Sequence, residues 1–303
     1  MTATAMTTTA ESLPGSARPR ARRRPRAVRL LTRAPVNAVL AAVALLWLVP
    51  SFGLLVTSFR PTKDYFASGW WRALLHPATL TVSNYRHVLQ TGGIKDALFT
   101  TALITVPATV LVVVVASLAA YALVFLRWPG RDAVFVALVA LMVVPLQMAL
   151  IPVATLYGHL GLFGTVAGVV LFHTAFGLPF AIFLMRNFYT GIPKDLLEAA
   201  RIDGAGDLMM FLRIVLPLGR PALASLGIFQ FLWVWNDLLV SLVFLGGARH
   251  VPITVAIFSQ LRQFGPNIDL ISSASFLSMI VPLIIFFSFQ RYFVRGVLAG
   301  AVK

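Results

Sequence analysis

The chain has no cysteine in its 303 residues. Disulfides, thiolate metal sites and cysteine nucleophiles are therefore excluded. Charge is scarce too: Asp, Glu, Lys and Arg make up 12% of the residues, where an average soluble domain has about 25%. Its ten acids and five histidines form no H-E-x-x-H, G-x-S-x-G or paired-carboxylate pattern. A phosphate-cradling Walker A loop needs Gly directly before Lys. The four lysines (Lys63, Lys95, Lys194, Lys303) follow Thr62, Ile94, Pro193 and Val302, so no such loop exists. No catalytic residue, metal ligand or cofactor is expected.

What is abundant is apolar surface: 59% of residues are hydrophobic and the mean hydropathy is +0.87. That excludes an ordinary cytosolic enzyme and a largely disordered chain, and predicts a polytopic membrane protein. Six runs are long enough to cross a bilayer: Val36–Ser58, Leu98–Leu126, Ala133–Leu156, Val166–Met185, Ala222–Gly246 and Ile271–Val294. At about 1.5 Å per residue, roughly 20 residues cover a ~30 Å hydrocarbon core. The runs lack the period-2 alternation of a barrel strand, so they read as helices and the fold as all-α.

The net charge of +15 invites a nucleic-acid partner, but Lys and Arg are sorted by segment. The N-terminal tail, Arg127 with Arg131, the 186–221 loop and the C-terminal end hold 18 of the 25. The intervening loops hold 7. This asymmetry places both termini in the cytoplasm and assigns the charge to loops facing anionic lipid, with no nucleic acid involved. Trp70, Trp71 and Tyr85 then fall in an extracytoplasmic loop where interfacial aromatics belong. Residues 1–35, with an Arg cluster from Arg18 to Arg33, read as a disordered basic tail rather than a cleaved leader. The apolar run that follows is of full spanning length and lacks a small-x-small cleavage site. Residues 36–303 form the membrane domain.

Pro107, Pro145, Pro152, Pro179 and Pro282 lie inside spans and favour kinks. Gly164 and Gly168 make a G-x-x-x-G, the spacing of a close helix contact. Asp237 is the one clearly intramembrane acid, and His173 the one histidine well inside a span. With Trp233 and Asn236, Asp237 would share one helical face. That face either lines a pathway for a polar solute or bonds a neighbouring helix.

The segment from Ile192 to Pro217 is the most informative. Pro193 suits a helix's first turn, Asp195 and Glu198 favour its positive end, and Gly204 permits a turn. A cytoplasmic helix-turn-helix within 186–221 is expected, either docking on a partner or lying on the membrane. In the docking case Glu198 would offer a charge-assisted bond, and Ala199 and Ala200 a close backbone approach.

Glu198-Ala199-Ala200, then Asp203-Gly204, then Ile214-x-Leu216-Pro217 resembles the EAA loop of binding-protein-dependent ABC importer permeases. About residues 35–303 are similar to the maltose-type, carbohydrate branch, closest in look to α-glucoside permeases. The segments carrying this are Asn84-Tyr85-Arg86, Trp128-Pro129-Gly130-Arg131, Pro145-Leu146-Gln147-Met148, His173 to Pro179 and Trp235 to Leu239, with the stretch from Gln290 to Lys303. The resemblance implies a six-helix, multi-pass permease of the bacterial inner membrane. It also implies a second permease, two copies of a cytosolic ATPase, an extracytoplasmic sugar-binding protein and a carbohydrate cargo such as an α-glucoside. Glu198 would then pair with a base in the ATPase cleft, Ala199 and Ala200 would fit its groove, and Gly204 would give the bend. The rival is a self-sufficient, ion-coupled secondary transporter. That would need more intramembrane charge than Asp237 provides, and usually more spans or a repeat.

Overall fold

The computed structural model describes residues 26–90, 93–263 and 268–301. Helix α1 (Arg26–Ser58) begins N-terminal to the tail boundary expected after residue 35. The rest of that tail lies outside the described residues. Residues 1–52 form one unit and 53–303 another. In the first, α1 is apolar on every side from Pro35 onward, as suits lipid.

In the second unit, the expected extracytoplasmic loop after α1 is folded rather than open. It carries α2 (Thr62–Ala67), α3 (Arg72–Leu75), a 3₁₀ turn at Pro77–Thr79 and α4 (Ser83–Gln90). Asn84 explains the Asn-Tyr-Arg segment: its Nδ2 donates to the carbonyl of Ser58 (3.0 Å), the last residue of α1, and to that of Arg60 (2.8 Å), just beyond it. Tyr85 Oη and Ser58 Oγ are 2.7 Å apart, so this aromatic bonds the chain instead of the interface. Trp70 likewise packs inward, against Gly53, where a Cβ would sit 2.9 Å from its Nε1.

The spine is α5 (Ile94–Phe125), packed along α8 (Val166–Tyr189). Ala97, Thr101, Ile104, Ala108, Val112, Ala116 and Ala120 recur every three or four residues and are all buried. Small residues there let the backbones approach closely, the main attraction available between helices in lipid. Between the two lie α6 (Arg131–Leu141) and α7 (Leu146–Leu160), bent by 102° to one another. The expected third span is thus a broken one. The chain leaves the helix at Met142, and Pro145 opens α7 from an extended conformation. Pro107, Pro152, Pro179 and Pro282, in contrast, sit inside continuous helices. Gly164 and Gly168 serve a turn, not a helix pair. Gly164 has φ +77°, and a Cβ on Gly168 would meet the Leu162 carbonyl at 2.3 Å.

The loop expected to be cytoplasmic contributes α9 (Lys194–Ile202) and α10 (Asp207–Met210), then a π-helical turn at Phe211–Val215 and α11 (Leu216–Leu218). The chain bends by 75° before α12 (Arg220–Trp235), close to Pro217. The fifth expected span, Ala222–Gly246, is also interrupted: α12 ends at Trp235 and α13 (Leu239–Leu245) starts anew. The next loop holds an unforeseen helix, α14 (Ile253–Gln263), and α15 (Ile268–Ala301) follows. α12 packs on α5 and α15, and α14 on α5. Among the described residues, four helices are long and apolar enough to span, or six if each bent pair is one crossing.

The break at 236–238 is held by its acid. Asp237 Oδ1 accepts the Val240 N–H at 3.2 Å and Oδ2 the Ser241 N–H at 2.9 Å, capping α13. Replacing Asp237 by Ala strands both donors at membrane depth and should cost about 1–3 kcal/mol of stability. Asp237→Asn, which keeps an acceptor, should cost less. Thermal unfolding of the detergent-purified protein checks the order, and equal losses would count against the cap.

Candidate functional site

α9 stands on the membrane domain by one apolar side. Leu197 is buried, and Ala200 packs partly against the same cluster, which includes Tyr121, Met185, Tyr189, Met210, Phe211 and Val215. The turn is built as a helix stop. Gly204 has φ +85°, where a Cβ is strained, the Ala205 N–H donates to the Ala200 carbonyl at 2.9 Å, and the Gly204 N–H to Arg201 at 3.0 Å. Asp203 caps α9 and is exposed. Ile214, Leu216 and Pro217 are half-buried, so this end of the motif is seating rather than contact surface.

The opposite side of the pair is open. Glu198 and Ala199 are exposed beside Leu196, Ile202 (88% exposed), Leu208, Met209 and Leu212. This side thus places one acid amid exposed apolar side chains and a small residue. Along α9, Leu197 and Ala200 point inward and Leu196 outward.

Two tyrosines that sequence spacing does not reveal tie this device to the spine. Tyr121 Oη donates to the Asp207 carbonyl at 3.0 Å, and Tyr189 Oη lies 2.7 Å from Ser117 Oγ. Arg201 also reaches the Asp207 carboxylate at 3.1 Å, but both groups are half exposed, and such a pair is worth at most about 1 kcal/mol.

The second cluster lies inside the membrane domain. Because α12 stops at Trp235, Trp233, Asn236 and Asp237 do not share one helical face as expected. Asp237 turns to the backbone of α13, its own carbonyl accepts from Thr254 Oγ1 at 2.6 Å, and Asn236 Nδ2 donates to Leu232. The partner missing from the sequence reading is His173 of α8, fully buried, whose Nε2 is 3.5 Å from Asp237 Oδ2, at the outer edge of polar contact. Trp233 meets the His173 ring edge-on at 5.2 Å between centroids. Trp233 also lines a cavity of about 540 Å³ between α7, α8, α12 and the break after α6. Among the described residues, no three His, Asp or Glu are placed to hold a metal ion.

Sequence and fold are shared with known proteins. Residues 112–299 match the family described as "Binding-protein-dependent transport system inner membrane component". The osmoprotective compounds uptake permease protein GgtD of Synechocystis sp. is 47% identical over 89% of this chain and 92% of its own. The alpha-glucoside transport system permease protein AglG of Rhizobium meliloti is 46% identical over 75% of this chain and 61% of its own. A crystal structure of a bacterial ABC transporter that imports the acidic polysaccharide alginate superposes with TM-score 0.76. It has 26% identity over 89% of this chain and 98% of that one. With a family match across most of its length and relatives of this closeness, the chain belongs to the inner-membrane permease components of binding-protein-dependent ABC transport systems.

Proposed function

We propose that this chain is one of two permease subunits of an ATP-driven carbohydrate importer, with an oligosaccharide such as an α-glucoside as cargo. A second permease completes the pathway, two copies of a cytosolic ATPase drive it, and an extracytoplasmic sugar-binding protein delivers the substrate. Both termini lie in the cytoplasm, and the chain itself catalyses nothing. The observation that carries the reading is the α9–α11 device, exposed on one side at Glu198 and Ala199 and seated by the other on α5 and α8. The relatives' names and the alginate importer's structure support the carbohydrate class.

Mechanically, Glu198 pairs with a basic group in the ATPase cleft while Ala199 lets the backbones approach. Gly204 sets the angle between α9 and α10, and Tyr121 carries the motion from Asp207 into α5. ATPase closure thereby reaches the spine of the transmembrane domain as a displacement of packed helices. Of the trio expected to line the pathway, Trp233 faces a cavity, which supports assigning it that role, while Asp237 and Asn236 bond the chain.

Uptake of radiolabelled maltose and trehalose, in cells with the native locus, should vanish when the Walker motif of the co-encoded ATPase is disabled. Persistence that collapses with the proton gradient would instead establish the secondary transporter. Glu198→Ala should weaken ATPase association about tenfold or more while leaving membrane insertion intact, as judged by co-purification. Tyr121→Phe removes one hydrogen bond, about 0.5–1.5 kcal/mol, and should lower the uptake obtained per ATP hydrolysed without releasing the ATPase. Release of the ATPase by Tyr121→Phe would show that the tyrosine shapes the docking face instead.

A further inference from the structure

The cavity beside Trp233 has one polar side chain among apolar ones: Gln230 of α12. It is 5% exposed, and among the described residues its Nε2 finds no hydrogen-bond partner. A buried amide left unpaired is costly, so such a group is normally there for something absent from the isolated chain. The site is also shaped to hold it. Gly177 of α8 lies directly beneath, and a Cβ there would come 2.8 Å from Nε2 and 2.9 Å from Oε1. No other residue type at 177 leaves the amide in place.

The remaining walls say what kind of ligand fits. Phe176, Phe180, Phe229 and Trp233 offer ring faces and edges, and no charged side chain lines the cavity. Its volume lies within the usual range for small-molecule sites of about 300–1,000 Å³. The break at Met142–Val144 forms one wall, and irregular backbone at membrane depth occurs only against protein or a water-filled cavity. Aromatic surface with a single amide, and no charge, suits a neutral polyhydroxylated ring. The C–H faces of a pyranose pack on the arenes, and a hydroxyl oxygen accepts from the amide.

We infer that this cavity is a pyranose subsite of the translocation pathway, with Gln230 the hydroxyl-reading group and Trp233 the packing wall at its mouth. The subsite rests on the carbohydrate-importer reading and moves the specificity contact from Asp237, whose oxygens bond the chain, to Gln230. An anionic sugar finds no counter-charge here. A cargo lacking the hydroxyl would leave the amide unpaired and be disfavoured roughly tenfold or more.

The test uses the whole transporter, reconstituted in vesicles with its second permease, ATPase and binding protein. Radiolabelled maltose and trehalose uptake and ATP hydrolysis are measured together. Gln230→Leu, close in volume and unable to donate, should lower the sugar carried per ATP roughly tenfold and change the preference between the two sugars. If uptake and hydrolysis fall by the same factor, the amide is structural and the cavity is filled by a helix of the second permease. An unchanged ratio and preference overturn the inference as well. Should Gln230→Leu fail to assemble, Trp233→Ala carries the same test, because its ring is 37% exposed and its loss leaves the buried amide in place. A wild-type transporter that carries neither sugar overturns the α-glucoside reading itself, and that failure is distinguishable because it precedes any variant.

Discussion

Hydrocarbon offers the backbone no water, so each N–H and C=O at membrane depth has to find its partner inside the protein. Most of this chain meets that demand by staying helical, even through Pro107, Pro179 and Pro282. Where it does not, a side chain intervenes. Asp237 takes two donors in the first turn of α13, Asn84 bonds the last carbonyl of α1, and Thr101 Oγ1 accepts the Ile253 N–H at the start of α14. These polar residues in an apolar sequence are mostly the fixtures of helix ends. The acid that would stand out as a transport group in a continuous helix is, in this fold, a cap.

The same economy shapes the link between the cytosol and the membrane. The apolar underside of the α9–α11 device is continuous with the seam between α5 and α8, running through Met185, Tyr189, Val215 and Leu226. Two hydroxyl contacts join it: Tyr189 to Ser117, and Tyr121 to the Asp207 carbonyl. Glu198 therefore stands a few residues from a packed interior, and packed interiors shift between discrete arrangements rather than yielding gradually.

Much of this was legible from residues alone. Apolar runs long enough to span located α1, α5, α8 and α15, and the fixed spacing from Glu198 through Gly204 to Pro217 located the cytoplasmic pair. What was hidden depended on distant partners. Nothing near Tyr121 announces Asp207, 86 residues on, and nothing near His173 announces Asp237. The interruption at Asn236–Leu238 was masked because hydropathy on both sides remained high, although an acid three residues before Val240 is a capping pattern in its own right. Pro145 signalled a bend but not its size, since a 102° turn also requires α7 to find a seat of its own. Helix α14 was overlooked because its polar residues made it resemble a loop.

The seating of α9 by Leu197 and Ala200 also bears on how such proteins diversify. A motif recognisable by a handful of surface letters looks like a cassette, exchangeable among relatives that share those letters. Here half of it is interior, and its fit is written into Tyr121, Met185 and Tyr189 of α5 and α8 as much as into the loop. Grafted alone, the loop would bring an underside matched to a different floor. Under the docking proposal, the choice of partner belongs to the loop together with the helices that seat it, and a change of motif calls for a change of floor.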